Sequence, residues 1–301
     1  MSASAESLTT FLIQEQLPDS YREQVNNHFL PFINLLKPRI AAGRLRVLGI
    51  HGAQGSGKST LASFLCWYLG ERQGLRVAQL SLDDFYLRRS ERQALAERIH
   101  PLLATRGVPG THDVKLALRT LHRLQGLQPG ESMLLPRFDK ASDDRFDESE
   151  WPQISGPVDL VIFEGWCLGA GPQAESELLS PVNVLEANED ADGDWRRYAN
   201  DQLAGDYQRL FAEVDYLLML KAPSFDCVAG WRQQQERHLA SRRQGKQIMS
   251  EADIVRFVQH YERLTRHCLE TLPARADCVM TMAQDRSVEE VHCKEGELGH
   301  D

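Results

Sequence analysis

The stretch that decides the fold of this chain is Gly52-Ala53-Gln54-Gly55-Ser56-Gly57-Lys58-Ser59. It fits the pattern G-x-x-x-x-G-K-[ST], in which glycines let the backbone wrap so that successive N–H groups point at phosphate oxygens. A compact apolar run precedes it over residues 46–50, and apolar residues recur three and four positions apart over residues 58–69. These patterns predict a strand, a phosphate-binding loop (P-loop) and a helix whose N-terminus attracts anions.

Further apolar runs extend this unit into a sheet. Strands are predicted over residues 76–82, 158–163, 216–220 and 278–282, with helical patterns between them. Because the first two strands are joined by a helix, their crossover implies a parallel, buried sheet. We therefore expect an α/β fold of the P-loop NTPase type, a three-layer αβα sandwich with a mostly parallel central sheet and a helical lid.

The same reading divides the chain into three parts. Residues 1–45 are expected to form helices that pack on the core, and residues 46–285 to form the main domain. Basic residues crowd a predicted helix and loop at about residues 231–250, which we interpret as the lid. Residues 286–301 are expected to form a C-terminal tail.

The composition is that of an ordinary folded protein, with 42% hydrophobic and 26% charged residues among 301. A formal net charge of −9 gives no global attraction for nucleic acids or acidic membranes, so neither is expected as a partner. The six cysteines contain no C-x-x-C pair and are interpreted as reduced thiols. No basic N-terminal segment and no membrane-length apolar run is visible, which favours the cytoplasm. The oligomeric state is left open.

Carboxylates follow two of the predicted strands, at the edge where ligands collect in parallel sheets. Glu164 is expected to hold Mg²⁺ together with the Ser59 hydroxyl, and Lys58 to reach the β- and γ-phosphates. A carboxylate near the γ-phosphate can accept the proton of an attacking hydroxyl; Asp83 is the predicted base and Asp84 the alternate. The predicted nucleotide-binding residues are Gly52, Ala53, Gln54, Gly55, Ser56, Gly57, Lys58, Ser59 and Thr60.

These motifs together resemble a known family. The P-loop, a strand ending in S-x-D-D-F-Y over residues 81–86 and a strand ending in E-G over residues 164–165 resemble the phosphoribulokinase/uridine kinase branch of P-loop kinases. Within that branch, H-P-L-L-A-T-R-G-V-P-G-T-H-D over residues 100–113 and L-P-R-F-D-K over residues 135–140 resemble the D-glycerate 3-kinase group. The resemblance, which covers roughly residues 46–282, implies transfer of the γ-phosphoryl of MgATP to a hydroxyl of D-glycerate, giving 3-phosphoglycerate.

The resemblance also implies roles for individual residues. Asp83 matches the catalytic carboxylate of the family, Lys58 and Ser59 the nucleotide and metal positions, and Glu164 the second metal-site acid. The stretch W-R-Q-Q-Q-E-R over residues 231–237 resembles the helix that leads into the lid. Arg232 and Arg237 are therefore expected to act in catalysis by closing over the phosphates.

Basic residues on the two loops after the predicted base indicate an anionic acceptor. The guanidinium fork of arginine matches a carboxylate in a bidentate manner, and such groups are informative in a chain that is acidic overall. The predicted substrate-binding residues are Asp84, Tyr86, Arg106, His112, Arg137 and Lys140.

Two alternatives to a glycerate kinase stay open at this point. One keeps phosphoryl transfer but changes the acceptor to a nucleoside, pantothenate or another sugar-like alcohol. The other is a P-loop ATPase that switches shape without any metabolite acceptor. The Asp83 carboxylate and the lid arginines favour transfer.

Three weaker features are interpreted as structural. His260 and His267 lie seven residues apart on a predicted helix without a third ligand, so no metal site is expected there. The acidic run over residues 186–194 is interpreted as a solvated loop. Trp166, Trp195 and Trp231 are expected to pack in the core.

Overall fold

The structure is a computed structural model that describes residues 5–242 and 251–294. The α-helices are α1 (Ala5–Glu15), α2 (Tyr21–Gln24), α3 (Leu30–Ala41), α4 (Lys58–Gln73), α5 (Arg89–Arg98), α6 (Val114–Gly126), α7 (Val184–Glu189), α8 (Asp194–Gln202), α9 (Gln208–Phe211), α10 (Phe225–Arg242) and α11 (Glu251–Thr271). The strands are β1 (Val47–Gly52), β2 (Val77–Ser81), β3 (Ser132–Leu134), β4 (Phe138–Asp139), β5 (Asp144–Arg145), β6 (Gln153–Ser155), β7 (Leu160–Gly165), β8 (Tyr216–Lys221), β9 (Cys278–Met282) and β10 (Val288–Cys293).

Six strands form the central sheet in the order β10-β9-β8-β1-β7-β2. The neighbours from β9 to β2 run parallel, and β10 pairs antiparallel with β9 at the edge. Glu164 on β7 lies in register between Ile50 on β1 and Ser81 on β2. The carboxyl ends of these three strands therefore meet at one edge, which is where ligands bind in such sheets.

Helices cover both faces of the sheet because alternate strand residues point to opposite sides. Val47 faces a core built with α6, α9 and α11, whereas Leu48 and Ile50 face a second core built with α3 and α4. The predicted three-layer α/β architecture with a mostly parallel sheet is thereby confirmed. In the described parts of the chain, no helix has the length and apolar character needed to cross a bilayer.

The N-terminal helices add aromatic side chains to the second core. Phe11 stacks on Trp67 at 5.0 Å between ring centroids and contacts Phe64 edge-on at 5.6 Å. A π-helical segment, Val25–Phe29, joins α2 to α3, and Phe29 is buried in the same cluster. The predicted short helices thus pack on α4, although the division of the chain at residue 45 is not tested by these contacts.

The C-terminal region corrects two predictions. Cys278 and Cys293 form a disulfide between β9 and β10, so the interpretation of all six cysteines as reduced thiols is wrong for this pair. The strand β10 extends the sheet, so the predicted tail from residue 286 is wrong at residues 288–293. The sequence V-E-E-V-H-C does not predict a strand because β10 lies at the edge of the sheet and is only partly buried. Val288 is buried, whereas Glu289 and Glu290 face solvent.

The acidic run over residues 186–194 is not a solvated loop, which corrects a third prediction. Glu186 is fully buried on α7 and pairs with Arg263 on α11, and Asp190 pairs with Arg196 at 2.9 Å. The partner Arg263 stands 77 residues away in sequence, where no local pattern points to it. The predictions for the tryptophans are confirmed, since Trp166, Trp195 and Trp231 are buried.

Candidate active site

The P-loop connects β1 to α4 at the carboxyl edge of the sheet. Gly55 and Gly57 have φ angles of +76° and +89°, a left-handed conformation that favours glycine. A Cβ atom at Gly52 would lie 2.5 Å from the Ser56 Oγ, so a larger residue here would force the loop or the Ser56 side chain to shift. Ala53 packs with Trp231 of α10, and Thr60 lies in the first turn of α4. The predicted nucleotide-binding stretch therefore forms a wrapped loop that ends at a helix N-terminus.

Ser59 and Glu164, the predicted metal pair, lie side by side. The Ser59 hydroxyl donates to Glu164 Oε1 at 2.7 Å, and Lys58 Nζ lies 4.0 Å from Glu164 Oε2. Glu164 is only 4% exposed, and its Oε2 has no hydrogen-bond partner among the residues that the structure describes. Hard oxygen ligands of this kind suit Mg²⁺, so these residues fit the ion that the sequence predicts.

A 3₁₀ turn, Leu82–Phe85, follows β2 and contains both aspartates, Asp83 and Asp84. The Ser81 hydroxyl accepts from the Asp83 N–H at 3.3 Å, and Asp84 Oδ2 accepts from the Ser81 N–H at 3.1 Å. This capping turns the two neighbouring carboxylates toward different partners.

Asp83 faces two lysines. Its Oδ2 accepts from Lys140 Nζ at 2.6 Å. Burial alone would raise the pKa of Asp83, but the ammonium groups of Lys140 and Lys58 outweigh it and hold that pKa well below its usual range. Asp83 is therefore an ionised carboxylate within the electrostatic reach of the P-loop lysine.

Asp84 pairs with Arg137 instead, at 3.2 Å from Nη1. Burial raises the pKa of Asp84 to about 6, against the opposing effect of the Arg137 guanidinium. Arg137 also donates to the carbonyl oxygens of Pro136 and Gln79. These bonds anchor the loop that bears Lys140 to β2. Arg137 thus has a structural role in addition to its predicted contact with substrate.

The other predicted acceptor residues surround Tyr86. The Tyr86 and His112 rings are stacked at 4.3 Å, and Phe138 meets Tyr86 edge-on at 5.3 Å. The Arg106 guanidinium lies over the Phe138 ring at 5.6 Å and pairs with Asp143. Burial lowers the pKa of His112 to about 3, so this histidine is neutral at physiological pH.

Of the two predicted lid arginines, the structure describes the side chain of Arg232. Arg232 on α10 holds its guanidinium 5.0 Å from the centre of the Phe257 ring on α11. The Arg237 side chain and residues 243–250 lie outside the described part of the structure. The catalytic roles of Arg232 and Arg237 stay predictions.

Sequence reasoning missed several residues of the site. Arg286 donates from Nε to the Gly55 carbonyl at 2.7 Å and lies over the Trp231 ring at 5.4 Å. Tyr207 bonds His112, and Asp143 pairs with Arg106. None of these three stands in a recognisable motif, so only the fold brings them to the site.

The fold and this site define a P-loop kinase, an enzyme that uses ATP and Mg²⁺ to phosphorylate an alcohol group. Comparison with known proteins identifies the family. The chain is 37% identical over 253 residues to an uncharacterized kinase, mug58, of Schizosaccharomyces pombe, which covers 76% of this chain and 88% of that one. The chain therefore belongs to the same family of P-loop kinases.

Two members carry a substrate in their names. The chloroplastic D-glycerate 3-kinase of Arabidopsis thaliana is 35% identical over 243 residues; the match covers 76% of this chain but 48% of that protein, about half its length. A solved structure of D-glycerate 3-kinase from Cryptococcus neoformans has a TM-score of 0.75 and 26% identity, covering 88% of this chain and 98% of that one. No family model matches the chain. The resemblance found in the sequence is confirmed at the level of the kinase family.

Proposed function

We propose that the chain transfers the γ-phosphoryl group of MgATP to a hydroxyl of D-glycerate, giving 3-phosphoglycerate. The observation that carries this proposal is the contact of 2.6 Å between Asp83 and Lys140, which brings a carboxylate and a cation together beside the P-loop. The names of the two D-glycerate 3-kinases support the choice of acceptor.

An anionic acceptor fits the charges around Asp83. Lys140, which pairs with Asp83, and Arg106, which pairs with Asp143, lie close enough for their charges to interact, in a chain whose net charge is −9. A carboxylate that enters between them would exchange water for charge-assisted hydrogen bonds, which are roughly twice as strong as neutral ones. The stacked rings of Tyr86 and His112 would then form an apolar wall beside the carbon chain.

In the proposed reaction, each charged group of the site has a separate role. Asp83 accepts the proton of the attacking hydroxyl. The oxygen of that hydroxyl forms a bond to the γ-phosphorus as the bond between the γ-phosphorus and the β–γ bridging oxygen breaks, which releases ADP. Lys58 stabilises the charge on the transferred group, and Arg232 and Arg237 are proposed to add to it from the lid side. Ser59 and Glu164 would hold Mg²⁺, which supplies neutralisation of phosphate charge when bound.

The test is ADP release measured by a coupled assay with D-glycerate, glycerol, uridine and pantothenate as acceptors. D-glycerate, but not glycerol, should accelerate ADP release, because only the acid engages the cations through a carboxylate. A higher kcat/KM with uridine or pantothenate would overturn the choice of acceptor. ADP release that no acceptor accelerates would favour the ATPase alternative.

A variant tests the base in the same assay. Asp83→Asn should keep ATP affinity near wild type and lower kcat by roughly 10²- to 10⁴-fold, the usual contribution of a positioned acid or base. Asp159→Asn is the matched control, since Asp159 accepts from the Arg76 N–H at the opposite edge of the sheet. A fully active Asp83→Asn enzyme would remove Asp83 from the reaction.

The cellular setting belongs to the proposal as well. A cytoplasmic location, and the expectation of no nucleic-acid or membrane partner, stay predictions based on the acidic net charge and the N-terminal sequence. Fractionation of cells that express the chain would test the location.

A further inference from the structure

The hydrogen bonds of one buried tyrosine determine which ring nitrogen of His112 carries the proton. Tyr207 is 1% exposed at the end of the π-helical segment Leu203–Tyr207. Its hydroxyl oxygen accepts from the Gly110 N–H at 2.9 Å and lies 2.6 Å from His112 Nδ1. Gly110 and His112 both belong to the loop that also carries Arg106.

The donor and acceptor in the short contact can be assigned by counting protons. A backbone N–H can only donate, so the Gly110 bond makes the Tyr207 oxygen an acceptor and leaves its single O–H to be donated elsewhere. The neighbour available within the described residues is His112 Nδ1. The Tyr207 O–H therefore donates to Nδ1, since the reverse arrangement would bury an unsatisfied hydroxyl proton at a cost of about 1–3 kcal/mol.

The tautomer of His112 follows from that assignment. A neutral imidazole carries one proton, and because Nδ1 accepts, that proton is on Nε2. His112 is 5% exposed, and its Nε2 has no hydrogen-bond partner among the residues that the structure describes. The buried Nε2–H of His112 can therefore donate a hydrogen bond to an incoming acceptor atom. Asp83 is the ionised group whose charge acts on this ring.

We propose that Tyr207 is a positioning residue that fixes His112 as the Nε2–H tautomer, so that His112 donates a hydrogen bond to a carboxylate oxygen of the acceptor. The identity of that acceptor rests on the proposed function, whereas the tautomer rests on the hydrogen bonds alone. In this arrangement the Nε2–H donor of His112 favours a substrate that presents an oxygen lone pair at this point. A substrate that presents an N–H or O–H donor there is disfavoured. Neutral His112 thus complements the cations Arg106 and Lys140, which recognise charge.

The tautomer can be measured directly by ¹⁵N NMR of histidine-labelled protein at pH 7. The signals of His112 are identified by their absence from His112→Gln, and the proton should be found on Nε2 in the wild type. Tyr207→Phe should shift this tautomer toward Nδ1–H, because the O–H donor is gone. Tyr198→Phe is the matched control: Tyr198 also lies against Gly110 but makes no described bond to His112.

Kinetics of the folded variants test the consequence for binding. Tyr207→Phe and His112→Leu should raise KM for D-glycerate by about 10-fold, equivalent to about 1.4 kcal/mol, and leave KM for ATP within about twofold. His112→Gln keeps an N–H donor and should retain most of the glycerate affinity, which a purely structural role would not explain.

Two results would overturn the proposal. A proton on Nδ1 in the wild type would do so for any acceptor, and this measurement needs no variant to fold. Equal losses of ATP and glycerate affinity in His112→Leu and His112→Gln would do so as well. If Nε2–H is observed but D-glycerate is not phosphorylated, the tautomer assignment is supported and the proposed function is the part that fails.

Discussion

At the scale of single residues, Asp83 and Asp84 are adjacent carboxylates that the fold has made chemically different. Both are largely removed from water, but Asp83 has Lys140 at 2.6 Å and is also acted on by the Lys58 charge, whereas Asp84 has one arginine at 3.2 Å. The first therefore stays ionised, and the pKa of Asp84 is raised to about 6. This difference is consistent with the prediction that Asp83, ionised and beside Lys140, is the base and that Asp84, held by Arg137, supports the loop.

The raised pKa of Asp84 predicts a pH effect on stability. The Asp84 carboxyl group binds its proton more tightly in the folded protein than in the unfolded chain. The stability that this proton provides is therefore fully present below about pH 4 and is lost as the pH rises through about 6. The Asp84→Asn variant has no titratable group at this position, so it does not lose this stability as the pH rises. The free energy of unfolding of the variant, relative to wild type, should increase by about 2–3 kcal/mol between pH 4 and pH 8.

Urea unfolding at both pH values measures this difference. Asp159→Asn serves as the control for removal of a carboxylate at the other edge of the sheet. A relative stability of Asp84→Asn that does not change with pH would mean that solvent or Arg137 offsets the burial of Asp84 in full.

At the scale of elements, the turn between β9 and β10 braces the P-loop. Arg286 has a φ of +73°, unusual for a residue with a side chain, and this backbone places its guanidinium on the Gly55 carbonyl. Trp231 of α10 donates from Nε1 to the Gln284 carbonyl at 2.7 Å in the same turn. Two segments that are distant in sequence from the P-loop, this turn and α10, thus support the conformation of the phosphate-binding loop.

Loss of this brace should weaken nucleotide binding. Hydrogen bonds to charged groups contribute about 1.5–3 kcal/mol, so Arg286→Ala should raise KM for ATP by about 10-fold or more while kcat changes only a few-fold. Lys294→Ala is the control, because Lys294 lies just past the far end of β10 and donates to the Ala274 carbonyl. An unchanged KM for ATP would show that the P-loop holds its shape without the turn.

The same elements show what the sequence could predict. The inner strands β1, β7 and β8 are buried on both faces and are rich in apolar residues, so their positions follow from the sequence. The edge strand β2 is buried only at alternate residues, and its position follows from its place after the P-loop helix. The edge strand β10 and the two-residue strands β4 and β5 carry no apolar run. Likewise Lys58, Ser59 and Glu164 stand in local motifs, whereas Tyr207 and Arg286 reach the site only through tertiary contacts.

At the scale of the whole molecule, two ion pairs link the same two helices in different surroundings. Arg263 on α11 holds Glu186 on α7 with bonds of 2.8 and 2.7 Å, and the pair is almost fully buried. Arg256 on α11 pairs with Glu189 at 2.6 Å, and both of these side chains are exposed. The chain thus offers an internal comparison between a buried and an exposed pair at one helix–helix contact.

Burial should decide which of these pairs stabilises the fold. Removal of one partner of a buried pair leaves an uncompensated charge and typically costs about 3–5 kcal/mol, whereas exposed pairs contribute about 0–1 kcal/mol. Calorimetry should therefore find that Arg263→Met lowers Tm by several degrees and that Arg256→Met hardly changes it. The double variant Glu186→Gln, Arg263→Met should recover part of the loss, because no buried charge is left. A double variant that loses as much as the two single changes combined would mean that packing at α7, rather than the stranded carboxylate, determines the cost.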